Sequence, residues 1–138
     1  MTDLRAKDRL IVALDVPTPD EAYKLVLELE GVVSFYKVGL ELLMSGGMRE
    51  ILTTLIKQHR VFVDLKLPGD ISETIRRVVN LATTLGVKFL TLSASVDEAA
   101  VRAAVEGRGA SEYPRLLFVS YLSSLDSTDF AQMTGSTE

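Results

Sequence analysis

Apolar residues gather in five short runs: Leu10–Val16, Phe35–Leu40, Val61–Leu67, Lys88–Leu92 and Leu116–Leu122. Each run is rich in β-branched or aromatic residues and mostly apolar on both faces, the pattern of parallel strands covered by helices. Four segments between them place apolar residues at helical spacing. Pro19–Glu30 carries Ala22, Leu25, Val26 and Leu29 on one face, and Thr18-Pro19-Asp20-Glu21 supplies an N-cap, a first-turn proline and acids at the positive helix end. Met48–Gln58 carries Ile51, Leu52, Leu55 and Ile56. Ser72–Leu85 carries Ile75, Val78, Val79 and Ala82, with Gly86 as its stop. Val96–Glu106 carries Ala99, Ala100 and Ala103, with Gly107 after it.

The runs begin at residues 10, 35, 61, 88 and 116, a period of 25–28 residues that fits one strand, one helix and two short loops. Such alternation predicts an α/β fold with a parallel sheet. No Gly/Ser linker or shift in composition divides residues 1–138, so a single domain is expected. Beyond Leu122 the chain reads as a polar tail. The period fits an open doubly wound sheet and part of a closed barrel equally well. Length bears on that choice: a complete eight-unit β/α barrel takes about 250 residues, with about 200 as a floor, whereas this chain has 138.

Composition narrows the function classes. With 47% apolar and 25% charged residues, the sequence is ordinary for a globular domain and far from the disordered class. The absence of cysteine excludes disulfide scaffolds, thiolate nucleophiles and thiolate metal sites. Fifteen basic and nineteen acidic residues give a net charge of −4 with no basic block, which argues against a nucleic-acid partner. The opening Met1–Arg9 is charged and lacks a signal-peptide core, and no apolar run reaches the roughly 18–20 residues of a membrane helix. The expected setting is the cytoplasm, with no membrane partner.

In parallel α/β folds, chemistry collects at the C-terminal ends of the strands. Asp15 ends the first run, Lys37 interrupts the second and is followed by Glu41, and Asp64 and Lys66 interrupt the third, with Asp70 in the next loop. Ser93 and Ser95 end the fourth, and Ser123, Ser124 and Asp126 follow the fifth. Asp64 and Lys66 stand two residues apart, so a regular strand points both to one face, with Phe62, while Val63, Leu65 and Leu67 face the other way. Charges inside an apolar strand are costly unless paired. Asp15, Lys37, Asp64 and Lys66 can neutralise one another as an alternating cluster, either as a structural ion-pair network or as a catalytic site. Asp64 and Asp70 could suggest magnesium, but the lysines interleaved with the acids, Lys37 and Lys66, argue against a bare cation site. The single histidine, His59, reads as a surface residue at a helix end, and Gly46-Gly47 reads as a turn without a nucleotide-binding spacing.

The segments Leu10-Ile11-Val12-Ala13-Leu14-Asp15-Val16, Tyr36-Lys37-Val38-Gly39, Val63-Asp64-Leu65-Lys66 and Asp70-Ile71 together resemble the orotidine 5'-monophosphate decarboxylase family in order and spacing. A sister group, the sugar-phosphate decarboxylases and hexulose-phosphate synthases, shares a related Asp-x-Lys-x-x-Asp motif. The Ala-Leu-Asp opening and the Asp-Ile pair favour the orotidylate branch. The resemblance implies an eight-stranded TIM barrel, of which this chain supplies about five parallel strands and four helices, with strands 6–8 and the phosphate-binding segment outside it. It implies a cofactor-free lyase of pyrimidine biosynthesis that converts a nucleotide monophosphate, orotidine 5'-monophosphate, to uridine 5'-monophosphate. Lys66 would protonate C6, Asp64 would stand beside the substrate carboxylate, and Lys37 would bridge ribose and carboxylate. Asp15 would bind ribose hydroxyls and Ser123 the pyrimidine edge. Asp70 and Ile71 would reach the partner's site in a homodimer with shared active sites. Two departures stand out. Leu67-Pro68-Gly69 puts one residue more than the family motif between Lys66 and Asp70, and Ser93 stands where the family usually has histidine. By this reading the chain alone is weakly active or inactive. The rival expectations are a sugar-phosphate decarboxylase or aldolase and a non-enzymatic half-barrel that self-associates through its edges.

Overall fold

A computed structural model describes residues 6–69, 71–93, 96–120 and 122–135. In chain order the elements are α1 (Ala6–Arg9), β1 (Val12–Ala13), α2 (Pro19–Glu28), β2 (Phe35–Gly39), α3 (Leu40–Met44), α4 (Met48–Gln58), β3 (Arg60–Leu67), α5 (Ser72–Leu85), β4 (Phe89–Ser93), α6 (Glu98–Arg108), β5 (Arg115–Val119) and α7 (Ser127–Thr134). The five strands form one parallel sheet in the order β1-β2-β3-β4-β5. That order settles what periodicity left open. A doubly wound sheet reverses direction at a switch point, whereas here each strand lies beside its predecessor, the winding of a β/α barrel.

One face of the sheet is buried under helices. Tyr36, Val38, Val61, Val63, Leu90 and Leu92 pack with Ala22 and Val26 of α2, Ile51 and Leu55 of α4, Ile75 and Val79 of α5, and Ala100 and Ala104 of α6. The registers place Lys37, Phe62 and Phe89 side by side on the opposite face, where Phe62 meets Phe89 edge-on at 5.7 Å. In a barrel that face is the interior. β1 and β5 are the sheet's edges among the described residues, and Leu117 and Phe118 of β5 are both exposed. No helix of the described residues is long and apolar enough to cross a membrane.

Several boundaries differ from the sequence expectation. β1 pairs over two residues rather than Leu10–Val16, because it has a neighbour on one side only and Leu10 and Ile11 are exposed. The second apolar run ends at Gly39, and Leu40-Glu41-Leu42-Leu43-Met44, all good helix formers, turns into α3 with Leu42 buried. The fifth strand stops at Val119 rather than Leu122. The polar tail holds a helix, α7, fixed by a reciprocal capping box between Asp126 and Asp129. The fold thus has seven helical segments among the described residues, not four. His59 is half-buried, meeting the buried Tyr36 ring edge-on at 5.1 Å. Gly47 is a packing residue: a Cβ there would lie 2.0 Å from Pro19 Cγ at the start of α2.

α6 carries the largest revision. Its buried face is Ala100, Ala103, Ala104 and Gly107, so Ala99 is exposed and Gly107 lies inside the helix rather than ending it. A Cβ at Gly107 would stand 2.3 Å from the Arg76 carbonyl oxygen of α5. The two backbones therefore meet where only glycine fits. Gly107→Ala is expected to destabilise the domain by about 1–3 kcal/mol, the usual range for overpacking, read as a lower urea midpoint with the slope unchanged. An unchanged midpoint would contradict this contact.

Candidate active site

At the C-terminal end of the sheet, four charged side chains from three adjacent strand ends form a chain of alternating sign. Lys37 Nζ, from β2, lies 3.7 Å from Asp15 Oδ2, just beyond β1, and 3.6 Å from Asp64 Oδ2, on β3. Lys66 Nζ lies 3.0 Å from the same Asp64 Oδ2. Asp64 is the inner member, with its side chain 13% exposed against 60% for Asp15 and 42% for Lys66. One carboxylate oxygen thus holds two ammonium groups, and the outer acid screens the second lysine.

The Asp64–Lys66 pair does not arise from a regular pleat. Val63 pairs with Leu90 and Leu67 with Leu92, so Asp64, Leu65 and Lys66 together face Thr91 of β4. This bulge turns the Lys66 backbone to φ 47°, the left-handed region that side-chain-bearing residues seldom occupy. That conformation costs on the order of 1 kcal/mol or more, and such strain gathers at functional sites. The two charges meet as the sequence suggested, but a bulge brings them together rather than simple alternation. The Thr91 hydroxyl donates to Asp64 Oδ1 at 2.8 Å and accepts the Lys66 backbone N–H at 2.8 Å. Thr91 is 3% exposed. Sequence reasoning passed over it because threonine is an ordinary strand residue. The available signal was a single hydroxyl inside Phe89-Leu90-Thr91-Leu92.

Burial alone would push the Asp64 carboxyl up. The hydrogen bonds from Lys66 and Thr91 and the charges of Lys66 and Lys37 outweigh it, and the group sits below the usual carboxylate range. Since the folded-state value is depressed, this group's stabilisation is present above the unfolded value of about 3.9 and is lost as pH falls through the folded value. A carbon-detected NMR titration of Asp64 is expected to give a midpoint below about 3.9, rising in Lys66→Ala. A midpoint at or above that value in the unaltered chain would contradict the arrangement.

Two other candidates occupy exposed positions. Ile71, 72% exposed, precedes α5. Ser123 is exposed in the turn after β5, with β4 between its strand and β3. Asp70 lies outside the described residues. A cavity of about 770 Å³ opens at the opposite, N-terminal end of the strands, lined in part by Phe35, Arg60, Lys88, Phe89, Tyr113 and Arg115. Arg60, Lys88 and Arg115 there are engaged locally, Arg115 with Glu112. Arg60 lies over Phe35 and binds Asp8, and Lys88 lies over Tyr113. In β/α barrels that end serves stability rather than chemistry.

Residues 8–138 match the family described as "Orotidine 5'-phosphate decarboxylase / HUMPS family". The orotidine 5'-phosphate decarboxylase of Rhodopseudomonas palustris strain BisA53 is 42% identical over 129 residues, covering 94% of this chain and 53% of that protein. The enzyme of the same name from strain HaA2 is 44% identical over 123 residues, covering 89% of this chain and 51% of that protein. Among solved structures, orotidine 5'-phosphate decarboxylase from Lactobacillus acidophilus superposes with a TM-score of 0.79 at 28% identity, over 94% of this chain and 60% of that one. An uncharacterized conserved protein from Geobacillus kaustophilus gives 0.80 at 30% identity, over 93% and 61%. The chain spans about half the length of the curated relatives it matches.

Proposed function

Because this chain belongs to the orotidine 5'-phosphate decarboxylase / HUMPS family, we propose that its Asp15–Lys37–Asp64–Lys66 cluster is the decarboxylating centre for orotidine 5'-monophosphate. The observation that carries the reading is one geometry: an ammonium 3.0 Å from a carboxylate oxygen that a second lysine shares. Loss of carbon dioxide leaves an electron pair on C6 of the pyrimidine, where no ring position delocalises it. Stabilisation then falls to fixed charge already in place before the bond breaks. The Lys66 ammonium supplies that charge and then the proton. The C6–carboxylate bond breaks with its electron pair retained on C6, carbon dioxide departs, and Lys66 transfers a proton to C6. The neutral amine left behind regains a proton from solvent.

In this reading Asp64 stands beside the substrate carboxylate and holds Lys66 in place. Its negative charge also repels the carboxylate, a strain that departure of carbon dioxide relieves. Lys37 bridges the ribose and the charge network, and the more exposed Asp15 receives ribose hydroxyls. Ser123 contacts the pyrimidine edge, and Asp70 and Ile71 approach the site of a second copy, making the functional unit a cytoplasmic homodimer. Phosphate is held by strands after the fifth, as in other β/α barrels, in the half of the relatives that this chain does not span. Remote phosphate binding supplies much of the transition-state stabilisation, so the 138-residue chain alone turns over weakly.

The test therefore joins residues 1–138 to the C-terminal half of the Rhodopseudomonas palustris BisA53 relative. The expected result is conversion of orotidine 5'-monophosphate to uridine 5'-monophosphate, undiminished by a metal chelator. Activity confined to a sugar phosphate and lost with chelator would assign the sister chemistry, since an enediolate needs a metal to hold its charge. No turnover, with concentration-dependent association in light scattering, would favour a self-associating half-barrel joined through its exposed edges.

A further inference from the structure

The Thr91 hydroxyl touches both members of the pair on which the proposed proton transfer depends. A hydroxyl has one hydrogen to donate and lone pairs to accept with, and Thr91 uses both. It donates to Asp64 Oδ1 and accepts from the Lys66 backbone N–H, each at 2.8 Å. Three features give these bonds more than a packing role. Thr91 is the one polar residue in the buried class among the described residues, so its partners are its own doing rather than water's. The carboxylate torsion of an aspartate is intrinsically broad. With Oδ1 held by Thr91, Oδ2 is the oxygen turned to Lys37 and Lys66, at 3.6 and 3.0 Å. The bonded N–H belongs to the residue at φ 47°, so the hydroxyl also fixes the turned backbone from which the Lys66 side chain returns to Asp64.

We propose that Thr91 is a positioning residue: one buried hydroxyl locks the carboxylate rotation of Asp64 and the left-handed backbone of Lys66, and so sets the separation of the Asp64 carboxylate and the Lys66 ammonium. Its catalytic consequence rests on the decarboxylase reading above; its geometric consequence does not. Across the bulge Thr91 is what β4 offers to Asp64, Leu65 and Lys66. The charged groups around Asp64 on the neighbouring strands are Lys37 and, through it, Asp15.

Thr91→Val keeps the shape and deletes the hydroxyl, whereas Thr91→Ser keeps the hydroxyl and deletes the methyl. In the full 138-residue chain, Thr91→Val is expected to raise the NMR titration midpoint of Asp64. It should also speed hydrogen exchange at the Lys66 amide by about tenfold or more, and Thr91→Ser should leave both near their original values. In the joined protein, Thr91→Val is expected to lower kcat by about 10- to 100-fold, the range for losing a hydrogen bond to a charged group, with KM within about twofold. Should Thr91→Val not fold, Thr91→Ala against Thr91→Ser makes the same comparison. The proposal is overturned if Thr91→Val leaves the Asp64 titration and the Lys66 exchange unchanged, or if Thr91→Ser disturbs them as much as Thr91→Val does. If the unaltered protein does not decarboxylate orotidine 5'-monophosphate, the functional reading fails while the titration and exchange still decide the role of Thr91.

Discussion

Replacing Lys66 with alanine is expected to lower kcat for orotidine 5'-monophosphate decarboxylation by about four orders of magnitude or more, with a far smaller effect on KM. Two contributions vanish together. A positioned general acid is worth about 10²–10⁴ in rate, and a preorganised charge facing the developing anion about 10²–10³. On the proposed reading Lys66 would supply both from one atom, which lies 3.0 Å from Asp64 Oδ2. Because the two roles share a group, their losses are not separable by further mutation of the same residue. The KM should change little, since Lys37 and Asp15, the proposed ribose contacts, remain. Steady-state kinetics on the joined protein make the comparison, and a loss of less than about tenfold would remove Lys66 from the chemistry.

Asp64→Ala carries the second large effect, through a different route. Among the described residues, Asp64 Oδ2 is the shared partner of both lysines, and Asp15 reaches Lys37 alone. Removing Asp64 leaves four charges as three: Lys66 loses its partner among the described residues, and Lys37 is held by an exposed acid. Without Asp64, Lys66 loses its fixed position, so activity is expected to fall by about 10²–10³ or more. The partly buried network should also lose about 1–3 kcal/mol of stability, less than the breaking of a fully buried pair because both lysines are partly open to solvent. Asp64→Asn separates the causes. It preserves the volume and can still accept the Thr91 hydroxyl, but its amide N–H2 then faces both ammonium groups, so the packing and the Thr91 contact return while the charge pairing does not, and activity stays low. Full activity in Asp64→Asn would mean that the negative charge is not needed.

The parts of this architecture with local causes were legible in the sequence. The outward-facing strand residues Val61, Val63, Leu90 and Leu92, and the helix residues Ile75 and Val79 that cover them, follow from apolar spacing alone. So does the gathering of Asp15, Lys37, Asp64 and Lys66, because parallel strands align their C-terminal ends. The length, at a period of 25–28 residues, counts five units, and the sheet has five strands in sequential order. What escaped depends on contacts between strands. The bulge at Asp64–Lys66 exists only relative to β4, so no property of Val63-Asp64-Leu65-Lys66 taken alone announces a left-handed lysine. Thr91 became informative only once that bulge set it against two site residues. The face of α6 was misplaced by one residue, since a run of alanines has little amphipathic contrast and the close approach of Gly107 to Arg76 is invisible from one helix. α7 has no buried residue and hence no periodic stripe, although its Asp126–Asp129 capping box was present in the sequence.

The most direct test of the proposed decarboxylating cluster is a single-turnover measurement with the joined protein in excess over orotidine 5'-monophosphate labelled in its carboxyl group, in the presence of chelator. The unaltered protein should release one labelled carbon dioxide per substrate bound, while Lys66→Ala, saturated with the same substrate, should retain the label on that timescale. Equal release from the two proteins, or no release from either when binding is complete, would contradict the assignment of decarboxylation to this cluster.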